Sequence, residues 1–467
     1  MPNLRDTIVA VSSPPGRSAR GLVRLDGPHA FAVVAHLVDH PPDPPPHTAR
    51  PAALRHPDLP PLPVLLTRFP GPRSYTGHDV AELQLPGHPA LLDRVLQAAL
   101  GHPPLRLAEP GEFTFRAYTA GKLDLTRAEG VAATIHAVSD SQLAAAAALR
   151  HGQLARFAAG RVDRVGRLLA LVEAGIDFVD QEDVVPIPPR ELAAALTEEL
   201  RELEKLLARS RAWGAVEALP RVVLLGPPSA GKSTLFNALL GQPRAVTHPA
   251  PGTTRDVLEE PLQLNPLPTS GRGDAPSREV MLVDLAGLDD AATALDRDVQ
   301  QRVRDAVDRA DLILHVRPAA GPADAARAPL ALPAAAPVLR VYTKADRVAS
   351  FSAPPGPDAD AVCVSAHTGR GLPALRAAIL HHLGDRAVSL RADLLALQPR
   401  HHAALTAARE ALQDARRQTD PGAPALGAVE LVAGRLRDAL DHLAGLGGEL
   451  TPDDVIGRVF STFCVGK

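Results

Sequence analysis

The run Gly226-Pro227-Pro228-Ser229-Ala230-Gly231-Lys232-Ser233 joins glycines, a lysine and a hydroxyl in an order that suits phosphate chemistry. Glycines let main-chain N–H groups wrap β-phosphate oxygens, Lys232 adds a point charge on the β and γ phosphates, and the Ser233 hydroxyl is placed for Mg2+. Such a loop works only between a strand and a helix. Arg221-Val222-Val223-Leu224-Leu225 is a short apolar run bounded by Gly226, and the stretch TLFNALLG, starting at Thr234, reads as a helix. A glycine turn matching by chance would lack both flanks.

Three further elements follow in the order a nucleotide site needs. Thr253-Thr254-Arg255-Asp256 lies in a Pro/Gly-rich loop, where a threonine coordinates Mg2+ only while a γ-phosphate is present, and Thr254 is the expected ligand. Val280-Met281-Leu282-Val283 reads as a buried strand ending in Asp284-Leu285-Ala286-Gly287, which puts a carboxylate near Mg2+ and the Gly287 N–H near the γ-phosphate. Thr343-Lys344-Ala345-Asp346 ends another apolar run. A carboxylate there, Asp346, expected to be buried, accepts both N1–H and N2–H2 of guanine and excludes adenine. Ser365-Ala366 offers main-chain N–H groups to guanine O6. Asn is usual at the place of Thr343, which predicts reduced affinity for guanine. The reading is a GTP-binding site made of Gly226, Ser229 to Thr234, Thr253, Thr254, Asp284, Gly287, Thr343, Lys344, Asp346, Ser365 and Ala366, with Lys232 and Thr254 acting in hydrolysis. Leu288 stands where many GTPases place a water-orienting glutamine, so hydrolysis must recruit another group. Binding without appreciable turnover stays open.

The elements around this block set the organisation. At 467 residues the chain exceeds one ordinary core and suggests about three domains. Residues 1–118 alternate short β-type runs (Thr7-Ile8-Val9-Ala10, Gly21 to Leu25, Asp79 to Leu83) with helical stretches such as Pro89 to Leu100, which predicts a small α/β domain. The Pro-rich segment at residues 40–47 can only be a surface loop. Residues 119–214 carry apolar positions at helical spacing, as do residues 386–467, so the two helical stretches are expected to fold together. The GTPase block, residues 215–385 with a mainly parallel sheet, is then an insertion, and residues 317–337 an irregular excursion within it.

Charged residues make up 22% with a net charge of −3, so no global field draws the chain to nucleic acid or anionic membrane. Aromatics at 3% leave little for base-stacking, which argues against an autonomous single-strand binder. Cys363 and Cys464, far apart, form neither a disulfide framework nor a metal cluster. With no signal-like start and no apolar run near the ~20 residues of a membrane span, a cytoplasmic protein with no membrane role is expected.

The segments DTIVAVSSPPGR, SYTGHDVAELQLPGH, PGEFTFRAYTAGKLDLTRAEG, LVEAGIDFVDQED and DDVIGRVFSTFCVGK closely resemble those of the MnmE (TrmE) family of tRNA modification GTPases, over nearly the whole chain. The resemblance implies an N-terminal folate-binding domain that also mediates homodimerisation, a helical domain in two segments, and an inserted G domain. It implies tRNA as substrate and an FAD-dependent partner, MnmG, in a heterotetramer. Together they install an aminomethyl or carboxymethylaminomethyl group on carbon 5 of the wobble uridine, with the one-carbon unit from a reduced folate (5-formyl- or methylene-tetrahydrofolate). The family's folate contacts fall on Arg24, Glu82, Lys122 and Lys467. Glu82 would meet the donor face of a pterin and the lysines its glutamyl carboxylates. Cys464 is either a small buried hydrophobe or a participant in the modification chemistry.

Departures from the family pattern are specific. The asparagine that ligates K+ falls on Ser229, and the loop carrying Thr247, the other expected K+ ligand, also differs. A hydroxyl is shorter than an amide, which predicts weak K+ stimulation. The water-orienting glutamate falls on Asp296, one methylene shorter, which either acts through a second water or is one more charge on an exposed helix. A nucleotide-dependent scaffold with negligible turnover and a ribosome-assembly GTPase are the competing readings. The second is opposed by the folate-type segments and by the lack of a basic RNA-binding appendage.

Overall fold

The computed structural model describes residues 4–39, 46–56, 59–102, 104–177, 187–214, 219–242, 258–264, 277–285, 304–319, 336–348, 361–383, 388–390, 395–448, 456, 459–460 and 463–466. They divide into two compact units, Met1–His136 with Ala146–Arg209 and Pro399–Lys467, and Ala137–Ala145 with Ser210–Gln398.

The first unit opens with β1 (Thr7–Val11), β2 (Ser18–Asp26), β3 (Val38–Asp39), β4 (Arg50–His56), β5 (Leu59–Phe69), β6 (Val80–Gly87) and β7 (Leu105–Leu107). They make one seven-stranded sheet in the order β3-β4-β5-β6-β2-β1-β7, antiparallel except where β7 runs parallel to β1. Alternation sets its faces: Val23 and Leu25 of β2 and Leu83 and Leu85 of β6 are buried against α1 (Ala30–Leu37) and α2 (Pro89–Leu100). The β4–β5 hairpin has no counterpart in the sequence expectation, and it carries Pro51, Pro60, Pro61 and Pro63 within its strands. They are tolerated because β3 pairs only with Ala53 and Leu54 of β4, and β6 pairs only with Leu65 to Phe69 of β5. The prolines therefore sit where the ladder is one-sided.

Helices α3 (Glu112–Thr119), α4 (Leu125–His136), α5 (Asp140–Arg150), α6 (Gln153–Asp177) and α7 (Pro189–Arg209) precede the second unit's strands. In that unit, β8 (Arg211–Ala212) and β9 (Arg221–Leu225) come first, then α8 (Lys232–Leu240), β10 (Leu258–Gln263), β11 (Ser277–Asp284), β12 (Leu312–Pro318), β13 (Val338–Thr343) and β14 (Val362–Cys363). Next come α9 (Leu372–Leu383), β15 (Val388–Leu390) and β16 (Ala396–Leu397). Finally α10 (Pro399–Gln418) and α11 (Val429–Gly447) return to the first unit.

There α6 packs on α11, α11 on α10 and α10 on α7. Leu405, Ala408, Leu412 and Ala415 of α10 and Leu436, Ala439, Leu443 and Leu446 of α11, spaced at three and four, are all fully buried. The helical stretches on either side of the insertion thus share one core. Its polar centre is Glu129 of α4, which accepts bonds from Arg400 Nε and Nη2 at 3.0 Å and lies 2.5 Å from His401 Nε2.

In the second unit the strand order is β10-β11-β9-β12-β13-β14, parallel from β11 to β14, with β10 and β15 antiparallel to β11. The mainly parallel sheet is the expected one, and β9, β12 and β13 are buried apolar runs around Leu235, Phe236 and Leu239 of α8. The unit extends past the expected limit of 385: Val388 pairs with Glu279, and β16 pairs parallel with β8. Strand β15 is only three residues, Val388-Ser389-Leu390, too short for its alternation to mark a strand without the ladder to β11.

Candidate nucleotide and folate sites

The phosphate loop lies between β9 and α8, as the flanks of the motif require. Gly226 lies against β12, where an added Cβ would fall 2.2 Å from the Val316 carbonyl oxygen, and Gly231 is left-handed at φ +91°. Ser229 also takes φ +60°, unusual for a residue with a side chain, and is exposed. Lys232, 7% exposed, turns its ammonium back over the loop, with Nζ 3.0 Å from Gly226 O and 3.1 Å from Pro227 O. That puts a cation at the centre of the loop. Ala230 is buried, and Ser233 and Thr234 stand half-buried in the first turn of α8.

Asp284 at the end of β11 is fully buried, and neither carboxylate oxygen has a well-formed hydrogen bond among the described residues. Burial pushes its pKa up, against the pull of the Ser233 hydroxyl and the Lys232 ammonium beside it. A buried carboxylate next to a hydroxyl suits a hard, oxygen-seeking divalent cation, and Mg2+ fits this donor set.

The base side is built by β13 and the turn after β14. Thr343, 3% exposed, places Oγ1 2.5 Å from Ala230 O and 3.2 Å from Arg317 O. Lys344, left-handed at φ +58°, donates from Nζ to Ser229 O at 2.8 Å. Asp346 accepts the Ser365 hydroxyl at 2.7 Å, and this bond holds its pKa below the usual carboxylate value. The expectation of a buried Asp346 is incorrect: it sits on a single 3-10 turn, Ala345–Arg347, and its carboxylate is exposed. The Ser365 N–H is taken by Arg370 O at 2.9 Å, which occupies one of the two main-chain donors expected for guanine O6. Thr247, Thr253, Thr254, Gly287, Leu288 and Asp296 lie outside the described residues.

In the first unit, Arg24 of β2 and Glu82 of β6 are direct cross-strand partners, joined at 2.8 Å. The Arg24 guanidinium lies 5.5 Å from the centre of the Phe113 ring, and the Tyr75 hydroxyl is 3.1 Å from Thr114 Oγ1. Tyr75, Phe113 and Thr114 carry no role in the sequence reading, although their segments SYTG and PGEFTF belong to its motifs. Lys122 is exposed and donates to Pro72 O at 2.6 Å, beside the Thr76-Gly77 turn. Below this surface Arg116, fully buried, binds Asp26 and Asp6 at 2.7 Å and Glu112 at 3.0 Å, while Arg106 binds Glu112 at 2.6 Å.

The final described residues dock on the same domain. Val465 bridges Pro110, Cys464 O accepts the Gly111 N–H at 3.4 Å, and Gly466 O accepts the Ser12 hydroxyl at 2.7 Å. Cys464 is a free, exposed thiol, so its reading as a buried hydrophobe is incorrect: the Phe460 and Phe463 rings fill the apolar space instead. Lys467 lies outside the described residues.

A glycine loop between a parallel strand and a helix, with a buried carboxylate at the end of the neighbouring strand and the Lys344–Asp346 turn at the end of β13, has the layout of a P-loop GTPase. The family model described as MnmE helical domain matches residues 125–464, and the one described as GTP-binding protein TrmE N-terminus matches residues 7–122. The tRNA modification GTPase MnmE of Methylococcus capsulatus is 34% identical over 99% of both chains, and that of Thermus thermophilus 36% identical over 100% of both. Among solved structures, Era of Aquifex aeolicus bound to GDP and aluminium tetrafluoride is 22% identical over 41% of this chain and 66% of that chain, with a TM-score of 0.29. The chain belongs to the MnmE family of tRNA modification GTPases. No described helix is long and apolar enough to cross a membrane.

Proposed function

We propose that this GTPase acts as a homodimer with an FAD-dependent MnmG-type partner, in a heterotetramer, to add an aminomethyl or carboxymethylaminomethyl group at carbon 5 of the wobble uridine of tRNA. The one-carbon unit comes from 5-formyl- or methylene-tetrahydrofolate. The observation that carries the folate assignment is the Arg24–Glu82 pair beside Phe113, on the domain that also holds the tail with its exposed Cys464. A half-buried carboxylate held by a cation that rests on the buried Phe113 ring suits the hydrogen-bond donors of a pterin, and exposed Lys122 suits the carboxylates of its tail. Lys467 is assigned the same role and Cys464 a part in the modification chemistry.

In hydrolysis the loop N–H groups from Gly226 to Ser233 and the Lys232 ammonium are assigned to the β and γ phosphates, and Asp284 and Ser233 would hold Mg2+. When bound there, Mg2+ would supply neutralisation of phosphate charge. Thr254 is assigned to the γ-phosphate and Asp296 to the attacking water.

K+ would bind through Ser229 and Thr247. With an exposed hydroxyl at Ser229, stimulation by K+ is expected to be weak. Steady-state GTP turnover in KCl and in NaCl, with ATP as control, followed by a tRNA modification assay with the partner and a reduced folate, tests the whole reading. GTP-specific turnover with folate-dependent modification supports it. Modification that proceeds without folate overturns the folate assignment, and equal turnover in the two salts removes K+ from the mechanism.

A further inference from the structure

Resting on the assignment of the GTP site, we infer that Thr343 leaves N7 of the bound base unread, so that this chain selects guanine through its Watson–Crick edge and O6 alone. Thr343 stands at the end of β13, 3% exposed, with its hydroxyl 2.5 Å from the Ala230 carbonyl oxygen and 3.2 Å from the Arg317 carbonyl oxygen. A threonine hydroxyl carries one proton, and both neighbours are carbonyls that only accept. That proton is committed to tying β13 to the phosphate loop and to β12. The N7 atom of a purine is an acceptor too, so whatever reads it must donate. Thr343 has lone pairs left but no second proton.

A side-chain amide at this position would have two N–H groups, one for Ala230 O and one for N7. The hydroxyl therefore keeps the architectural bond of such a residue and gives up its recognition bond. Selection then falls on the Asp346 carboxylate, held by Ser365 at 2.7 Å, and on the Ala366 N–H. Lys344 ties the same turn to Ser229 O at 2.8 Å. The nucleotide site is thereby clamped together through side chains that spend hydrogen bonds on the loop.

Equilibrium binding of GTP and of 7-deaza-GTP, in which N7 is replaced by C–H, tests this in the full chain with Mg2+ present. The unaltered chain should bind both within about twofold, whereas Thr343→Asn should bind 7-deaza-GTP about fivefold more weakly than GTP, the worth of one neutral hydrogen bond. Thr343→Ser, which keeps the hydroxyl, should show the ratio of the unaltered chain. If the unaltered chain binds 7-deaza-GTP fivefold or more weakly than GTP, the inference is overturned while the GTP site stands. A chain that binds neither nucleotide refutes the site itself, and the inference with it.

Discussion

Replacing Glu129 by glutamine removes one negative charge from the polar centre of the helical core and leaves its shape nearly unchanged. In the native protein this carboxylate is buried, and although burial opposes ionisation, the His401 and Arg400 hydrogen bonds and charges prevail and hold its pKa down at about 2, from 4.5. A depression of that size corresponds to about 3 kcal/mol of folding stability at neutral pH. The sign follows from the direction: a carboxylate with a depressed folded pKa contributes fully above its unfolded value and loses that contribution as pH falls toward its folded one. Glutamine contributes none of it at any pH. Denaturant unfolding followed by far-ultraviolet circular dichroism should therefore show Glu129→Gln less stable by about 3 kcal/mol at about pH 7, with the gap narrowing to less than half by about pH 3. An equal gap at both pH values would mean that packing, not charge, holds this centre. No gap at all would mean that Arg400 and His401 find other partners at no cost.

Gly466→Ala should detach the tail, because the new Cβ would fall 2.3 Å from the Val11 carbonyl oxygen at φ +93°. The left-handed strain of ~1–2 kcal/mol adds to the loss of the ~1 kcal/mol Ser12 bond. The expected outcome in a reconstituted assay is a large loss of tRNA modification with GTP turnover unchanged. Asp346→Asn should weaken GTP binding by about ten- to a hundredfold, the worth of hydrogen bonds to a charged acceptor, and shift preference toward xanthosine triphosphate, whose C2 carbonyl accepts from an amide. Competition binding with both nucleotides checks it, and an unchanged GTP affinity would take Asp346 out of base recognition.

The parts legible in the sequence are those whose chemistry is local. The phosphate loop is read from eight consecutive residues, and β9, β11 and β13 from apolar runs that end at Gly226, Asp284 and Thr343. The helices of the bundle announce themselves through buried positions three and four apart. What the sequence hides is pairing over distance. Arg116 meets Asp26 across 90 positions, and Glu129 meets His401 across 272, and nothing around either residue marks its partner. The exposure of Asp346 and of Cys464 depends on turn geometry and on which neighbouring rings fill the core, which residue type alone does not determine. The prolines of the β4–β5 hairpin are tolerated by a one-sided ladder, which is a property of the assembled sheet.

The pairing of β8 with β16, at the points where the chain enters and leaves the inserted unit, bears on how the protein is made. Helices α6 and α7 leave the ribosome long before α10 and α11, against which their apolar stripes must pack. Residues Ser210–Gln398 of the second unit are synthesised in the interval, and the strands β9 to β15 can pair while the bundle is still half built. During that time the exposed leucines of α6 and α7 have no native partner, so the early half of the bundle is the segment of the nascent chain that most needs protection from aggregation. The short β8–β16 ladder holds together the two points at which the chain enters and leaves the second unit, so the ends of that unit meet before the last helices are made.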